Sequence, residues 1–226
     1  MNDQPSHRNP PLVVEVSGDF ACFTRPEMKA ERLSYEVMTP SAARGVLHAI
    51  FWKPEFDYVI TKIEVLKPIT WFSIRRNEVK SVLSEDWVRK AASDTTMRYD
   101  VETDRDQRNA VCLRDVSYRI FAQVELFPHA TDSPVKYREQ FRRRVNRGAC
   151  FSQPFLGVRE FSATFGNPTD ATPIAVTKDL GIMLHSIEYD PTGGESYSWF
   201  AASLVNGVLT VPHHGLVLPS SSSERR

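Results

Sequence analysis

The chain has 226 residues, with 28 Lys+Arg balanced by 28 Asp+Glu and 41% hydrophobic residues, enough for one large core or two modest ones. No stretch approaches the roughly 18 uninterrupted apolar residues of a membrane helix, and residues 1–11 are polar and Pro-containing, unlike a secretory leader; the expected location is the cytoplasm, with no membrane partner. On the global count alone, a net charge of zero argues against a polyanion partner.

Residues 12–16 alternate Leu12, Val14 and Val16 against Val13 and Glu15, which predicts a short strand closed by Gly18-Asp19. A loop of mixed charge, residues 24–36, leads to Thr39-Pro40, a hydroxyl N-cap with Pro at the first helical position. Ala43, Val46, Leu47, Ile50 and Phe51 then form one apolar stripe, and Pro54 ends the helix near Trp52. Residues 58–66 are β-branched and alternating, a strand that residues 68–76 extend as a second hairpin arm. Residues 77–109 are dense in both charge signs and read as an insertion, helical around residues 85–92 and otherwise mobile.

Val116, Tyr118, Ile120, Ala122, Val124 and Leu126 form the clearest strand, with Ser117, Arg119, Gln123 and Glu125 on its other face. From Pro134 a second helix buries Tyr137, Phe141 and Val145 and stops at Gly148. Residues 154–165 read as a further strand. The order strand, helix, strand, insertion, strand, helix, strand predicts an α+β fold: a ferredoxin-like domain over residues 11–165, the fold shared by RRM-type RNA binders, with residues 77–109 inserted. Beyond Gly166, short apolar runs are separated by Pro191-Thr192-Gly193-Gly194 and by Asn206-Gly207, a strong hairpin signal. Residues 166–218 therefore read as a small antiparallel β-sheet domain, and residues 219–226 as a disordered tail.

The neutral total hides a local asymmetry. Lys136, Arg138, Arg142, Arg143, Arg144 and Arg147 face a single anion, Glu139, between Pro134 and Gly148, a local balance of +5. The paired donors of arginine suit phosphate oxygens, so Arg138, Arg142, Arg143 and Arg147 are candidate nucleic-acid contacts, with Arg75 and Arg76 a second, smaller patch. Cys22, Cys112 and Cys150 are far apart, lack CxxC spacing and read as core thiols. Asp100, Glu102, Asp104 and Asp106 resemble a ligand row but lack the glycine and terminal Glu of a calcium loop. His213 and His214, if in a strand, point to opposite faces. No metal or cofactor is expected. An RNA substrate brings its own nucleophile, the 2′-hydroxyl, so Lys, Tyr and His groups suffice for metal-free cleavage. Lys136 and Tyr137, at the start of the basic helix, are the candidates.

Gly18-Asp19-Phe20-Ala21-Cys22-Phe23-Thr24, Arg32-Leu33-Ser34-Tyr35, Thr39-Pro40-Ser41-Ala42-Ala43-Arg44-Gly45, Phe51-Trp52-Lys53-Pro54 and Phe155-Leu156-Gly157-Val158-Arg159-Glu160-Phe161 resemble the Cas-five proteins of type I-C (Dvulg) CRISPR systems. The resemblance runs from Val13 to about Val211. It implies a RAMP-superfamily endoribonuclease that cuts the precursor CRISPR RNA at its repeat hairpin without metal. It also implies that the protein stays on the 5′ handle among the other subunits of the interference complex. The family's catalytic Tyr, Lys and His fall on Phe51, Lys136 and Tyr137. Because Phe51 cannot move a proton, three readings stand: Tyr137 acts with help from His48, Tyr35 contributes, or the protein binds RNA without cutting, with duplex DNA a further possible ligand.

Overall fold

The computed structural model describes residues 9–190 and 194–217. Its strands and helices follow in the order β1 (Leu12–Ala21), α1 (Pro40–Ile50), β2 (Phe56–Val65), β3 (Trp71–Val79), α2 (Glu85–Ser93), β4 (Arg105–Leu126), α3 (Pro134–Arg147) and β5 (Thr164–Gly166). Four further strands complete the described chain: β6 (Lys178–Tyr189), β7 (Glu195–Val205), β8 (Val208–Thr210) and β9 (Leu216–Val217). The fold is mixed α/β and dominated by one antiparallel sheet in the order β5-β1-β4-β2-β8-β7-β6, with β3 paired to β4 and β9 to β7.

The helices begin and end where the side chains dictate. Thr39 Oγ1 accepts the N–H of Ala42 at 3.2 Å and Pro40 sits in the first turn of α1, an N-cap worth about 1 kcal/mol. Gly148 closes α3 at φ +62°, where its N–H returns to the carbonyls of Arg144 and Val145. Val46, Leu47 and Ile50 of α1 and Tyr137, Phe141 and Val145 of α3 are buried, each aliphatic or aromatic side chain contributing about 1.5–3 kcal/mol. They pack with Val14 and Val16 of β1, Ile63 of β2, Tyr118 and Ile120 of β4 and Leu204 and Leu209 of β7 and β8 in one core.

The strand following β2 departs from the expected hairpin. β3 pairs with the first half of β4, Trp71 opposite Leu113 and Val79 opposite Arg105, because β4 and β8 already occupy both edges of β2. β4 is therefore twice the expected length, and the ends of the expected insertion are paired strands that carry α2 between them. Residues 154–163 form a tight loop in place of the expected strand. Leu156 N–H donates to Phe161 O, and Gly157 adopts φ +87°, so only Thr164–Gly166 reaches β1. Asn206 and Gly207, both at positive φ, form the expected turn between β7 and β8. β8 pairs with β2 through Lys62–Thr210, Ile63–Leu209 and Glu64–Val208, so the later strands extend the same sheet. The Pro191-Thr192-Gly193 part of the expected turn and the expected tail lie outside the described residues. No helix among the described residues is long and apolar enough to cross a membrane.

Candidate functional site

The aromatic stripe of α3 meets the end of α1 and the start of β2. Phe51, Phe56, Tyr58, Tyr137 and Phe141 form a continuous ring cluster: Phe51–Phe56 centroids lie 5.6 Å apart, Phe56–Tyr137 4.9 Å, Phe56–Tyr58 5.1 Å and Tyr58–Phe141 5.6 Å. Tyr58 donates its hydroxyl to Phe51 O at 2.8 Å, and burial, helped by the Asp57 charge, pushes its phenol far up. Tyr137 is 1% exposed and its hydroxyl lacks a well-placed hydrogen-bond partner among the described residues. Burial, then the Glu55 carboxylate, raises its pKa. Phe51 and Tyr137 thus share one cluster as neutral rings.

His48 is reached from Tyr137 through the rings of Phe56 and Tyr58, its own ring lying 5.7 Å from that of Tyr58. It is half-exposed in the last turn of α1, and its Nε2 lies 2.8 Å from Asp57 Oδ1 on β2. Arg44, one turn earlier, reaches Asp57 Oδ2 at 3.3 Å, and the Tyr58 N–H donates to Oδ1 at 2.7 Å. Burial would raise the Asp57 carboxyl, but His48, Arg44 and this N–H outweigh it and hold it below the ordinary carboxylate range. A carboxylate on Nε2 fixes the imidazole's orientation and leaves Nδ1 available, the arrangement that general acid–base chemistry uses. Asp57 carries no sequence signal, since Phe56-Asp57-Tyr58 reads simply as strand alternation. Its pairing depends on α1 crossing β2.

Lys136 is 61% exposed at its side chain, and its Nζ lies 2.8 Å from Asp132 Oδ1. Its ion-pair partner is Asp132, and no hydrogen bond or ion pair joins it to His48 among the described residues. Among the arginines, Arg142, Arg143 and Arg147 are exposed. Arg138 is 4% exposed and donates to Gln123 Oε1 at 3.2 Å and to the Pro10 carbonyl, so it ties α3 to β4 and to the start of the chain. The reason is its position next to the buried Tyr137–Phe141 line. Arg75 is exposed, whereas Arg76 is half-buried in ion pairs with Glu78 and Glu160. Tyr35 is 1% exposed, with Arg25 4.5 Å above its ring.

The carboxylates of residues 100–106 are engaged locally. Asp104 accepts from Ser81 N–H, Ser81 Oγ and Tyr99 OH, Asp100 accepts from Glu102 N–H, and Asp106 pairs with Arg108. His213 and His214 lie in a bend rather than a strand, which brings Nδ1 of the first to 2.8 Å from Nε2 of the second. With His185, Arg44 and Asp57 they line a cleft of about 320 Å³ between α1 and the later strands.

The profile of the CRISPR-associated protein (Cas_Cas5) family matches residues 11–211. The chain belongs to that family. Among curated relatives, the CRISPR pre-crRNA endoribonuclease Cas5d of Mannheimia succiniciproducens is 45% identical over 214 residues, covering 88% of this chain and 93% of the relative. The protein of the same name from Thermus thermophilus is 46% identical over 179 residues, covering 79% and 73%. A crystal structure of a CRISPR-associated protein superposes with a TM-score of 0.64 at 26% identity, covering 92% of this chain and 94% of that one. A functionally uncharacterized protein, SMU1763c from Streptococcus mutans, shares the fold, with a TM-score of 0.63 at 24% identity over 90% and 93% of the two chains. The resemblance of the Gly18, Thr39, Phe51 and Phe155 motifs is thereby confirmed at the level of the family.

Proposed function

We propose that this chain is a pre-crRNA endoribonuclease that cuts the CRISPR repeat hairpin without a metal and stays on the 5′ handle as a subunit of the interference complex. The observation that carries the reading is identity near 45% with two Cas5d endoribonucleases, one of them matched over almost its whole length. Residues 11–165 are read as a ferredoxin-like unit, supported by the order β5-β1-β4-β2 with α1 and α3 as its crossovers. Residues 166–218 are read as its smaller antiparallel part, continuous with the same sheet where β8 pairs with β2.

The chemistry needs a base for the 2′-hydroxyl proton, an acid for the departing 5′ oxygen and positive charge on the crowded phosphate. Attack of the 2′ oxygen on phosphorus breaks the bond to the 5′ oxygen and leaves a 2′,3′-cyclic phosphate and a 5′-hydroxyl. His48, oriented by Asp57, takes the 2′-hydroxyl proton, and the departing 5′ oxygen takes its proton from water; Lys136 supplies charge, and the exposed Arg142, Arg143 and Arg147 hold the backbone. Tyr137, a buried ring, supports the site through Phe56. The test is cleavage of a repeat hairpin in EDTA. Wild type is expected to give the cyclic phosphate product, and Lys136→Ala to keep RNA binding while cleavage falls at least about tenfold. Unchanged cleavage by that variant removes Lys136 from the site.

A second reading, a crRNA-binding subunit that does not cut, is favoured by the burial of Phe51 and Tyr137 at two of the family's three catalytic positions. Tight hairpin binding with no cyclic phosphate under any divalent condition selects it. Duplex DNA is a further ligand of the arginine face under either reading, and the slope of log affinity against log salt on RNA and DNA hairpins compares the two.

A further inference from the structure

The segment after α1 runs antiparallel to α3 and is tied to it at three levels. At one end the Ala49 carbonyl accepts the N–H groups of Phe151 at 2.8 Å and Ser152 at 3.0 Å. In the middle Arg144 Nη1 donates to Ile50 O at 3.0 Å, with its guanidinium 5.4 Å from the Phe51 ring centre. At the other end Lys53 Nζ stands 5.7 Å over the Tyr137 ring. Two large rings on this seam face solvent, Trp52 at 51% and Phe151 at 82% exposure.

Packing leaves both rings largely uncovered: Trp52 meets the His48 ring edge-on at 6.3 Å between centroids, and Phe151 stands out from the chain. Phe51, Phe56, Tyr58 and Tyr137 fill the buried positions on the same seam. The backbone of Phe151 is nevertheless fixed by the turn at Gly148 and the bond to Ala49, so little freedom is lost when a ligand covers the ring. Exposed aromatics interleaved with cations form the surface that holds single-stranded nucleic acid, because every base has a face to stack and every phosphate a charge to pair. Bases inside a duplex have no free face, which distinguishes this seam from the ring-poor face of Arg142 and Arg143.

We propose that the seam binds the unpaired ribonucleotides flanking the repeat hairpin, with bases stacked on Trp52 and Phe151 and phosphates paired with Lys53, Arg144 and Arg147. This rests on the RNA-processing reading for its ligand but not on cleavage. The test uses repeat RNA made uncleavable by a 2′-deoxy substitution at the scissile nucleotide. One form carries an unpaired flank of about eight nucleotides and the other is blunt. Trp52→Ala and Phe151→Ala are each expected to weaken binding of the flanked RNA about 5- to 100-fold while the blunt hairpin binds as before, and Trp52→Phe to retain most of the affinity. Equal loss on both RNAs, or no loss, overturns the proposal. A second readout is independent of the variants: 2-aminopurine placed in the flank is quenched when it stacks on wild-type protein, and absence of quenching overturns the assignment. Cleavage of unmodified RNA is scored separately. A wild type that does not cut but loses flank binding in the variants removes the nuclease reading alone. One that cuts with flank binding unaffected removes the seam alone.

Discussion

At the scale of single residues, the pair to test first is His48 and Asp57. Asp57 touches no substrate in this reading and acts through the imidazole, so it is a positioning residue. Replacing it by Asn keeps the shape and removes the charge; cleavage of the repeat hairpin at neutral pH is expected to fall about 100-fold with RNA affinity unchanged. The same substitution has a stability signature. A carboxyl held below its ordinary value in the folded state stabilises the protein above its unfolded pKa, and that contribution is lost as pH falls through the folded value. Wild type should therefore lose thermal stability on acidification below about pH 4 more steeply than Asp57→Asn, which melting curves across pH 3–7 would measure. Gly157 shows a different use of one residue. Its φ is +87°, and a Cβ there would lie 2.0 Å from the Cys22 carbonyl oxygen. Gly157→Ala is expected to cost about 3 kcal/mol in urea unfolding, from left-handed strain plus the overlap. The Phe155–Phe161 motif was visible in the sequence as a resemblance, but its physical reason, a loop pressed onto the end of β1, depends on a contact 135 positions away that no local pattern records.

Among the elements, β4 explains much of what the sequence did and did not reveal. Its alternation from Val116 to Leu126 was plain, because one face is core. Its first residues were hidden, since residues 105–109 pair only with β3 among the described residues, in a ribbon largely exposed to solvent where periodicity has little to bury. The two helices were legible for the opposite reason: Thr39-Pro40 and Gly148 punctuate local turns whose chemistry is complete within a few residues. Arg119, read as an outward-facing residue, sits at the centre of the sheet's other face. It lies opposite Glu15 on β1 and Glu64 on β2, donating to Glu15 Oε1 at 2.9 Å through Nε and to Glu64 Oε2 at 2.8 Å. Its Nη2 also reaches the carbonyls of Thr169 and Ala171 at 2.7 and 2.9 Å, which fastens the chain after β5. The three side chains are only 10–14% exposed. Arg119→Met should leave two carboxylates poorly solvated and destabilise by about 3–5 kcal/mol. Adding Glu15→Gln and Glu64→Gln should recover most of that loss in urea titrations, whereas an equal loss in the triple variant would mean that packing of the Arg119 stem carries the effect.

For the molecule as a whole, a formal charge of zero coexists with an α3 face on which Arg142, Arg143 and Arg147 reach solvent, because the compensating carboxylates lie elsewhere in the chain. The same averaging applies to the division of the chain. Composition changes after Gly166, yet the later strands are built into the earlier sheet. β8 lies on β2, the Ile174 N–H donates to Val65 O at 2.9 Å, and the Val65 N–H donates to Gly207 O at 2.8 Å. Leu204, Leu209 and Val211 belong to the core that contains Ile63 and Leu47, and Lys178 pairs with Glu36 at 2.7 Å. Removing the strands after residue 177 would bare the edge of β2 and the apolar side chains beneath it, a template for aggregation. Unfolding is therefore expected as one cooperative transition, although the sequence reads as two segments. Trp199 lies in the later strands and Trp52, Trp71 and Trp87 in the earlier part, so a protein retaining Trp199 alone reports on one segment while far-UV circular dichroism reports on the whole. The two urea midpoints should coincide. Separated midpoints, with the Trp199 signal lost first, would show that the β2–β8 seam is weaker than the shared core implies.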